Sequence, residues 1–294
     1  MRLKTMKKAL YLALLLSIGS HWAIADPVKS KPAESITAEQ VKSERPDKTG
    51  TNLNTPSDSP VEIPAKAKAK PLGAAALVDL IDQYRGLAGQ GFSFDITNIS
   101  YKKGRDARTN ELSVDVQDDK SLVKFRSPAR QRGRVLLKQD NDMWLYIPGT
   151  RKVIRISPAQ RLLGEASNGD VAGTNYATDY TANITTTAQD KKDGQIQLTL
   201  NAKTRKISYT KVVFWLNDNE HHQPVRSEYY ARSGKLLKTA HYKEFKSYHG
   251  QPKIHKMLLV DPVIKGNYTW MKFDNYRASD LPPALFSKEA IVNL

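Results

Sequence analysis

Arg132–Ser157 reads RGRVLLKQDNDMWLYIPGTRKVIRIS. Inside it Val135–Lys138, Met143–Ile147 and Lys152–Ile156 are short runs rich in Val, Leu, Trp, Tyr and Ile, joined by the polar turns QDND and PGT. Apolar residues recurring near every second position, broken by turn residues, predict an antiparallel sheet with one apolar face and one wet, basic face. Trp144 and Tyr146 share strand parity and are expected to face an apolar interior. Arg132 with Arg134, and Arg151 with Arg155, are expected to form a basic stripe facing away from it. Nothing in the stretch has the pattern of a catalytic site, so the functional question becomes what its apolar face covers.

The same signature extends in both directions. Upstream, Phe92, Phe94 and Ile96 alternate, as do Leu112, Val114 and Val116, and Leu122–Phe125 follows a charged DDK turn. Downstream come Ile196–Leu200, Ile207–Leu216, Val225–Ala231, Leu236–Tyr248, Ile254–Val260 and Tyr268–Tyr276. So many single strands separated by short turns exclude a parallel α/β fold and predict one large curled or barrel-like antiparallel sheet. Only Ala74–Leu87, with Leu77, Leu80, Ile81 and Tyr84 at helical spacing, reads as a substantial helix. One helix does not blanket a sheet of this size. The sheet therefore closes on itself, folds into a sandwich, or stays open around a cavity that the helix and the middle segment partly fill. That middle segment, Ser157–Thr178, is too long for a hairpin turn and has Leu162, Leu163 and Val171 as its apolar anchors. It reads equally as a moving lid and as a plug at the mouth of the sheet.

Three regions are expected along the chain. Residues 1–25 carry Arg2, Lys4, Lys7 and Lys8 before an apolar run and end in Ala23-Ile24-Ala25, which reads as a signal peptide cleaved before Asp26. Residues 26–71 are rich in Pro, Ser, Thr, Lys and Glu and read as a disordered tether with an end-to-end distance of roughly 30–40 Å. Residues 72–294 form the folded domain. Losing the four basic residues of the signal segment takes the formal charge from +16 to +12, and the tether holds nearly balanced charge, so the domain itself is basic. The chain has no cysteine, which excludes disulfides, thiolate chemistry and a lipidated N-terminal cysteine. An exported chain of this kind is expected in the bacterial periplasm, where a basic surface meets anionic headgroups, glycan phosphates or acidic proteins. Nucleic acid is not an expected partner.

Candidate chemistry is sparse. His221 and His222 fall in a polar stretch between two strand runs and, as adjacent residues on an extended chain, point to opposite sides. His241, His249 and His255 lack ligand spacing, and Asp118, Asp119, Asp190 and Asp193 fall where turns need them. No phosphate loop or nucleophile elbow is present, so neither a metal nor a cofactor nor enzymatic activity is expected.

DMWLYIPGTRKVIRISPAQR, with Trp144, Tyr146, Pro148, Arg151, Lys152, Arg155 and Ile156, resembles the signature of the outer-membrane lipoprotein-sorting protein family. Gly173, Thr174 and Asp179, then Pro224, Val225 and Arg226, and the closing LPPALF segment, agree with it in order. The resemblance implies a mainly β fold, a large curled antiparallel sheet forming a half-open barrel with a few covering helices and an apolar cavity that accommodates acyl chains. On that basis Trp144, Tyr146, Leu162 and Leu163 are the candidate cavity residues. Arg132, Arg134, Arg151 and Arg155 are the candidates for docking a headgroup or partner. The implied cargo is a lipid or acylated protein and the implied partner an inner-membrane lipid exporter, while the basic stripe itself suggests an anionic membrane surface as a further partner. The alternative is a periplasmic sensor or scaffold whose sheet is packed solid and which acts through protein contacts.

Overall fold

Fifteen strands and four short helices, ordered along the chain, make up the computed structural model, which describes residues 71–86, 91–279 and 281–294. The expected signal segment and tether lie outside the described residues, apart from Pro71. Helix α1 (Ala74–Tyr84) precedes β1 (Phe92–Lys102), β2 (Arg105–Gln117), β3 (Lys120–Ser127), β4 (Val135–Gln139), β5 (Asp142–Ile147) and β6 (Lys152–Ile156). The middle segment holds β7 (Arg161–Leu163), β8 (Ala166–Ser167), α2 (Asn168–Ala172) and α3 (Tyr176–Asp179). It leads to β9 (Tyr180–Ile184), α4 (Ala188–Lys192), β10 (Gln195–Ala202) and β11 (Lys211–Asn217). The chain continues through β12 (Pro224–Tyr230), β13 (Leu236–Tyr248), β14 (Gln251–Val260) and β15 (Tyr268–Ala278).

Thirteen of these strands form one antiparallel sheet in the order β6-β5-β4-β3-β2-β1-β15-β14-β13-β12-β11-β10-β9. Hairpin connections build each half, and the long-range pairing of β1 with β15, including Ile96 opposite Phe273 and Asn98 opposite Met271, joins them. The outer strands β6 and β9 are not paired with each other, so the sheet is a half-open barrel. The chain between those two edges is the middle segment, which folds back onto the sheet.

The strand period sorts the side chains. Phe94 and Ile96 on β1, Leu112, Val114 and Val116 on β2, and Val123 and Phe125 on β3 are buried in the main core. Helix α1 supplies Leu77, Val78, Ile81 and Tyr84 to that core, one apolar stripe at helical spacing. It ends at Gly86, whose φ is +79° and where a Cβ would stand 2.9 Å from the Tyr276 ring, so both conformation and space require glycine. Helix α2 and the adjoining Ala166 and Ser167 are buried, so the middle segment is a plug inside the sheet. Its fold is fixed by a capping box in which Ser167 and Asp170 satisfy each other's backbone N–H groups.

A second, smaller cluster lies on the opposite face of β3–β6. Leu122, Leu137 and Trp144 are cross-strand neighbours, as are Val135, Tyr146 and Val153, and both rows pack against Phe286 and Ile291 near the C-terminus. The last residues of the chain therefore cover an outer face that alternation alone would leave wet. Phe286 is 1% exposed at its centre. Phe286→Ala is expected to cost about 3–5 kcal/mol of stability through the cavity it leaves, read from denaturant unfolding followed by Trp fluorescence.

Candidate functional site

The concave interior is apolar at its walls and polar at its centre. Tyr176, Tyr180, Tyr209, Tyr229 and Tyr242 are all buried there. Phe214 meets the Tyr176 ring edge-on with centroids 5.1 Å apart and stacks on the Tyr242 ring at 6.3 Å. Burial alone would leave five hydroxyls without water, and the site satisfies them internally. The Ser227 hydroxyl lies 2.9 Å from the Tyr242 hydroxyl and donates to the Tyr229 hydroxyl at 3.0 Å, while Ser167 and Tyr209 are 2.8 Å apart. Tyr180 donates to the Tyr209 carbonyl at 3.1 Å. Desolvation pushes the phenols of Tyr176, Tyr209, Tyr229 and Tyr242 well above their ordinary range, so they serve as neutral donors and acceptors.

Charged groups attach the plug to this centre. Lys238 of β13 is paired with Asp170 of α2, both almost fully buried, and its ammonium lies 4.7 Å from the centroids of both the Tyr209 and Tyr229 rings. Burial lowers the Lys238 pKa, opposed by Asp170. On the other side of the plug, the Asp82 carboxylate of α1 accepts the backbone N–H groups of Tyr176 at 3.1 Å and Ala177 at 2.9 Å, the first turn of α3. Arg85, one turn on, donates to the Thr174 carbonyl at 2.9 Å and stands 5.0 Å over the Tyr176 ring. The plug thus sits on apolar walls but is fastened by ions and hydrogen bonds.

The space left between plug and wall is small. A cavity of about 20 Å³ is lined by Phe94, Val171, Ile254, Met257, Phe273 and Tyr276, among others, with Arg85 and Asp170 at its polar end. That is room for about one water molecule and far too little for an acyl chain.

The four cavity candidates separate into two pairs. Leu163 is buried in the main core and Leu162 packs against it. Both also border an open groove of about 240 Å³ between the β1–β2 hairpin and β7. Trp144 and Tyr146 lie in the outer cluster instead, under the C-terminal residues, with the Lys288 ammonium 5.4 Å from the Trp144 ring centroid. Parity put the two aromatic residues on the face opposite Arg155. The cross-strand register puts Arg155 directly across from Trp144, hence on the same face. The difference arises because period two fixes which residues share a face but not which face is concave.

Arg132, Arg151 and Arg155 are exposed and Arg134 is half-buried. Arg155 is paired with Asp142, Arg132 donates to the Arg126 carbonyl at 3.1 Å, and Arg151 sits in the left-handed region at φ 52°. His221 and His222 occupy the exposed β11–β12 turn, where both N–H groups bond to the Asn219 side chain at 3.0 Å. Among the described residues no group of three or more His, Asp or Glu is placed to hold a metal ion. No described helix is long and apolar enough to cross a membrane.

Sequence reasoning passed over Asp82, Arg85, Asp170 and Lys238. Their signals were present. Lys238 has the strand parity of the buried Ala240 and Tyr242, and Asp82 interrupts the buried stripe of α1. Asp170 stands three residues after Ser167, the spacing of a capping box.

Residues 117–293 match a family model described as "uncharacterized protein". Among curated proteins none matches the sequence. Solved structures do. A LolA superfamily protein from Nitrosomonas europaea is 25% identical with a TM-score of 0.67, covering 74% of this chain and 99% of its own. A putative outer membrane lipoprotein-sorting protein domain from Vibrio parahaemolyticus is 22% identical with a TM-score of 0.63, covering 74% and 98%. A DUF1329 family protein from Desulfovibrio piger is 21% identical with a TM-score of 0.61, covering 74% and 99%. The half-open barrel is therefore the fold of the LolA superfamily and its lipoprotein-sorting relatives.

Removing one member of the buried ion pair strands the other. Lys238→Met is expected to destabilise by about 3–5 kcal/mol, and Lys238→Met with Asp170→Asn by clearly less than the sum of the two single changes, measured as a double-mutant cycle in urea. Asp82 offers an independent check. Burial raises its carboxyl to about 6, opposed by the two backbone N–H groups and Arg85. The folded state then holds this proton more tightly than the unfolded chain, so the contribution of Asp82 to stability is fully present below about pH 4 and is lost as pH rises through 6. Asp82→Asn is expected to remove that falling component, visible as a more positive slope of Tm against pH between 4 and 6.

Proposed function

We propose that this chain, which belongs to the family of uncharacterized proteins matched over residues 117–293, is a periplasmic carrier that shields the acyl chains of a lipid or lipoprotein in its concave interior. The supporting observation is the way that interior is covered. A wall of Phe94, Ile96, Leu112, Val114, Met257 and Phe273 is roofed by short helices and a connecting segment rather than by a second sheet. A roof of that kind exchanges for an apolar guest at the cost of a few polar attachments.

The physical mechanism is burial. Each methylene moved from water to an apolar wall contributes roughly 0.8 kcal/mol, so one long chain supplies on the order of 10 kcal/mol before the costs of ordering and of displacing the plug. With a resting cavity of about 20 Å³, a guest enters only as the plug moves. The attachments to release are Asp82 and Arg85 at α3 and the preceding Thr174, and Lys238 at α2. Transfer then needs no covalent step, no metal and no cofactor, and an inner-membrane lipid exporter is the class of partner that would load such a protein. Leu162 and Leu163, at the border between core and groove, are the cavity candidates best placed to meet a guest. On this reading residues 1–25 are the export signal, cleaved near Ala25, and residues 26–71 a tether for the domain of residues 72–294.

The filled interior favours a second reading, a sensor or scaffold that acts through protein contacts and binds no lipid. Organic extraction of the chain purified from a bacterial periplasm, followed by mass spectrometry, separates the two. The carrier reading expects a stoichiometric lipid or uptake of a fluorescent acyl probe by the delipidated protein. Neither lipid nor probe uptake would leave the scaffold.

A further inference from the structure

The groove of about 240 Å³ beside Leu162 and Leu163 has a second character. Lys102 and Arg105 at the β1–β2 turn, Arg108 on β2, and Arg130 in the 3₁₀ turn after β3 all line it. Asp106 is the one carboxylate lining it besides these cations and Arg161. Arg161 is held at 2.9 Å by Glu165 and at 3.0 Å by Asp261. Among the described residues none of the other four is in an ion pair, and all four are exposed. The groove floor is polar, with Ser100, Asn110 and Gln131, the last accepting from the Asn110 amide at 2.8 Å.

The loop between β14 and β15 flanks this groove. Asp261, while gripping Arg161 with one oxygen, accepts the N–H groups of Val263 at 2.8 Å and Ile264 at 3.0 Å with the other. Asn267, at the far end of the loop, accepts the N–H of Lys103 at 3.2 Å, and the Tyr101 and Tyr268 rings stack with centroids 4.6 Å apart. The loop is thus tied to Arg161 of β7 at its near end and to the β1–β2 hairpin at its far end. Its tip presents Val263 at 68% and Ile264 at 48% exposure, the two most exposed large apolar side chains among the described residues together with Ile184. Lys265 and Lys103 beside them are exposed as well.

Two branched aliphatic side chains on a braced tip, next to unpaired cations, have the composition of a bilayer-docking surface: apolar groups for the acyl boundary and cations for the lipid phosphates. A soluble anion has no use for the aliphatic pair. A second copy of a chain whose formal charge remains +12 without residues 1–25 is repelled rather than attracted. We propose that this end of the half-barrel docks on an anionic phospholipid surface, with Val263 and Ile264 entering the interface and Lys102, Arg105, Arg108 and Arg130 engaging headgroup phosphates. The docking surface stands whether or not the interior carries a lipid.

The test is co-sedimentation of the chain purified from a bacterial periplasm with phosphatidylglycerol-containing and pure phosphatidylcholine vesicles at low and high salt. Binding is expected on the anionic vesicles and is expected to weaken with salt. Lys102→Glu/Arg105→Glu/Arg108→Glu should reduce it by about a hundredfold or more. Val263→Asp/Ile264→Asp should reduce it severalfold, with thermal unfolding and acyl-probe uptake unchanged in both variants. Three results overturn the proposal: no binding to the anionic vesicles, indifference to the Val263 and Ile264 changes, or loss of binding through Arg151→Gln/Arg155→Gln instead. Indifference to the aliphatic changes with full sensitivity to charge would mean electrostatic attraction alone, with no entry of Val263 and Ile264 into the bilayer.

Discussion

A thirteen-stranded sheet whose edge strands stay apart has an inner face that it cannot cover by itself. Everything else about this molecule follows from how that face is covered. The chain uses the connection it must make anyway, from edge strand β6 across to edge strand β9, and sinks it into the concavity as β7, β8, α2 and α3. A connecting segment brings backbone polar groups with it, and buried polar groups need partners. That need explains the otherwise odd contents of the core. Asp82 satisfies the first N–H groups of α3, Arg85 takes a carbonyl of the turn before it, and Lys238 balances the Asp170 that caps α2.

Such fastening differs in kind from apolar packing. Replacing a buried ion pair by well-fitted hydrophobic residues is often neutral or stabilising, so a sheet selected only for stability has little reason to place Lys238 and Asp170 at its centre. Polar fastenings have defined geometry and can be exchanged for water or for one another, whereas interdigitated apolar side chains separate only with loss of contact over their whole area. The approach of Gly164 to Ser100 and Thr269, so close that any Cβ would collide with both, shows how tightly the plug begins against the sheet. The polar centre is where the coupling between plug and wall is most specific.

The sheet was legible in the sequence because strand period and turn chemistry are local. Val135–Lys138, Met143–Ile147 and Lys152–Ile156 were read almost at the bounds of β4, β5 and β6. Ile207–Leu216 was read too long, since residues 207–210 turn before β11 begins at Lys211. Tyr180–Ile184 was missed because a five-residue edge strand with one buried side chain carries almost no periodic signal. The polar centre was hidden for a different reason. Asp82, Arg85, Asp170 and Lys238 come from three separate elements, and only the fold of the middle segment brings them together. The face assignment of Trp144 failed for a third reason: its cover, Phe286 and Ile291, lies more than a hundred residues away.

The basic residues that drew attention first and those around the groove do different physical work. Lys152 and Arg155 lie on β6, an edge strand whose unpaired backbone would otherwise invite another strand to add. Exposed cations on such a strand hinder edge-to-edge association, and Arg155 is already neutralised locally by Asp142. That is reason enough for their presence. Lys102, Arg105 and Arg108 have no such duty, because β1 and β2 are interior strands with both edges paired, and Arg130 lies in a turn rather than on an edge strand. Their mutual repulsion across the groove costs stability with no balancing carboxylate beyond Asp106. A cluster that the fold does not need, beside two aliphatic side chains that it does not bury, is best explained by something outside the chain.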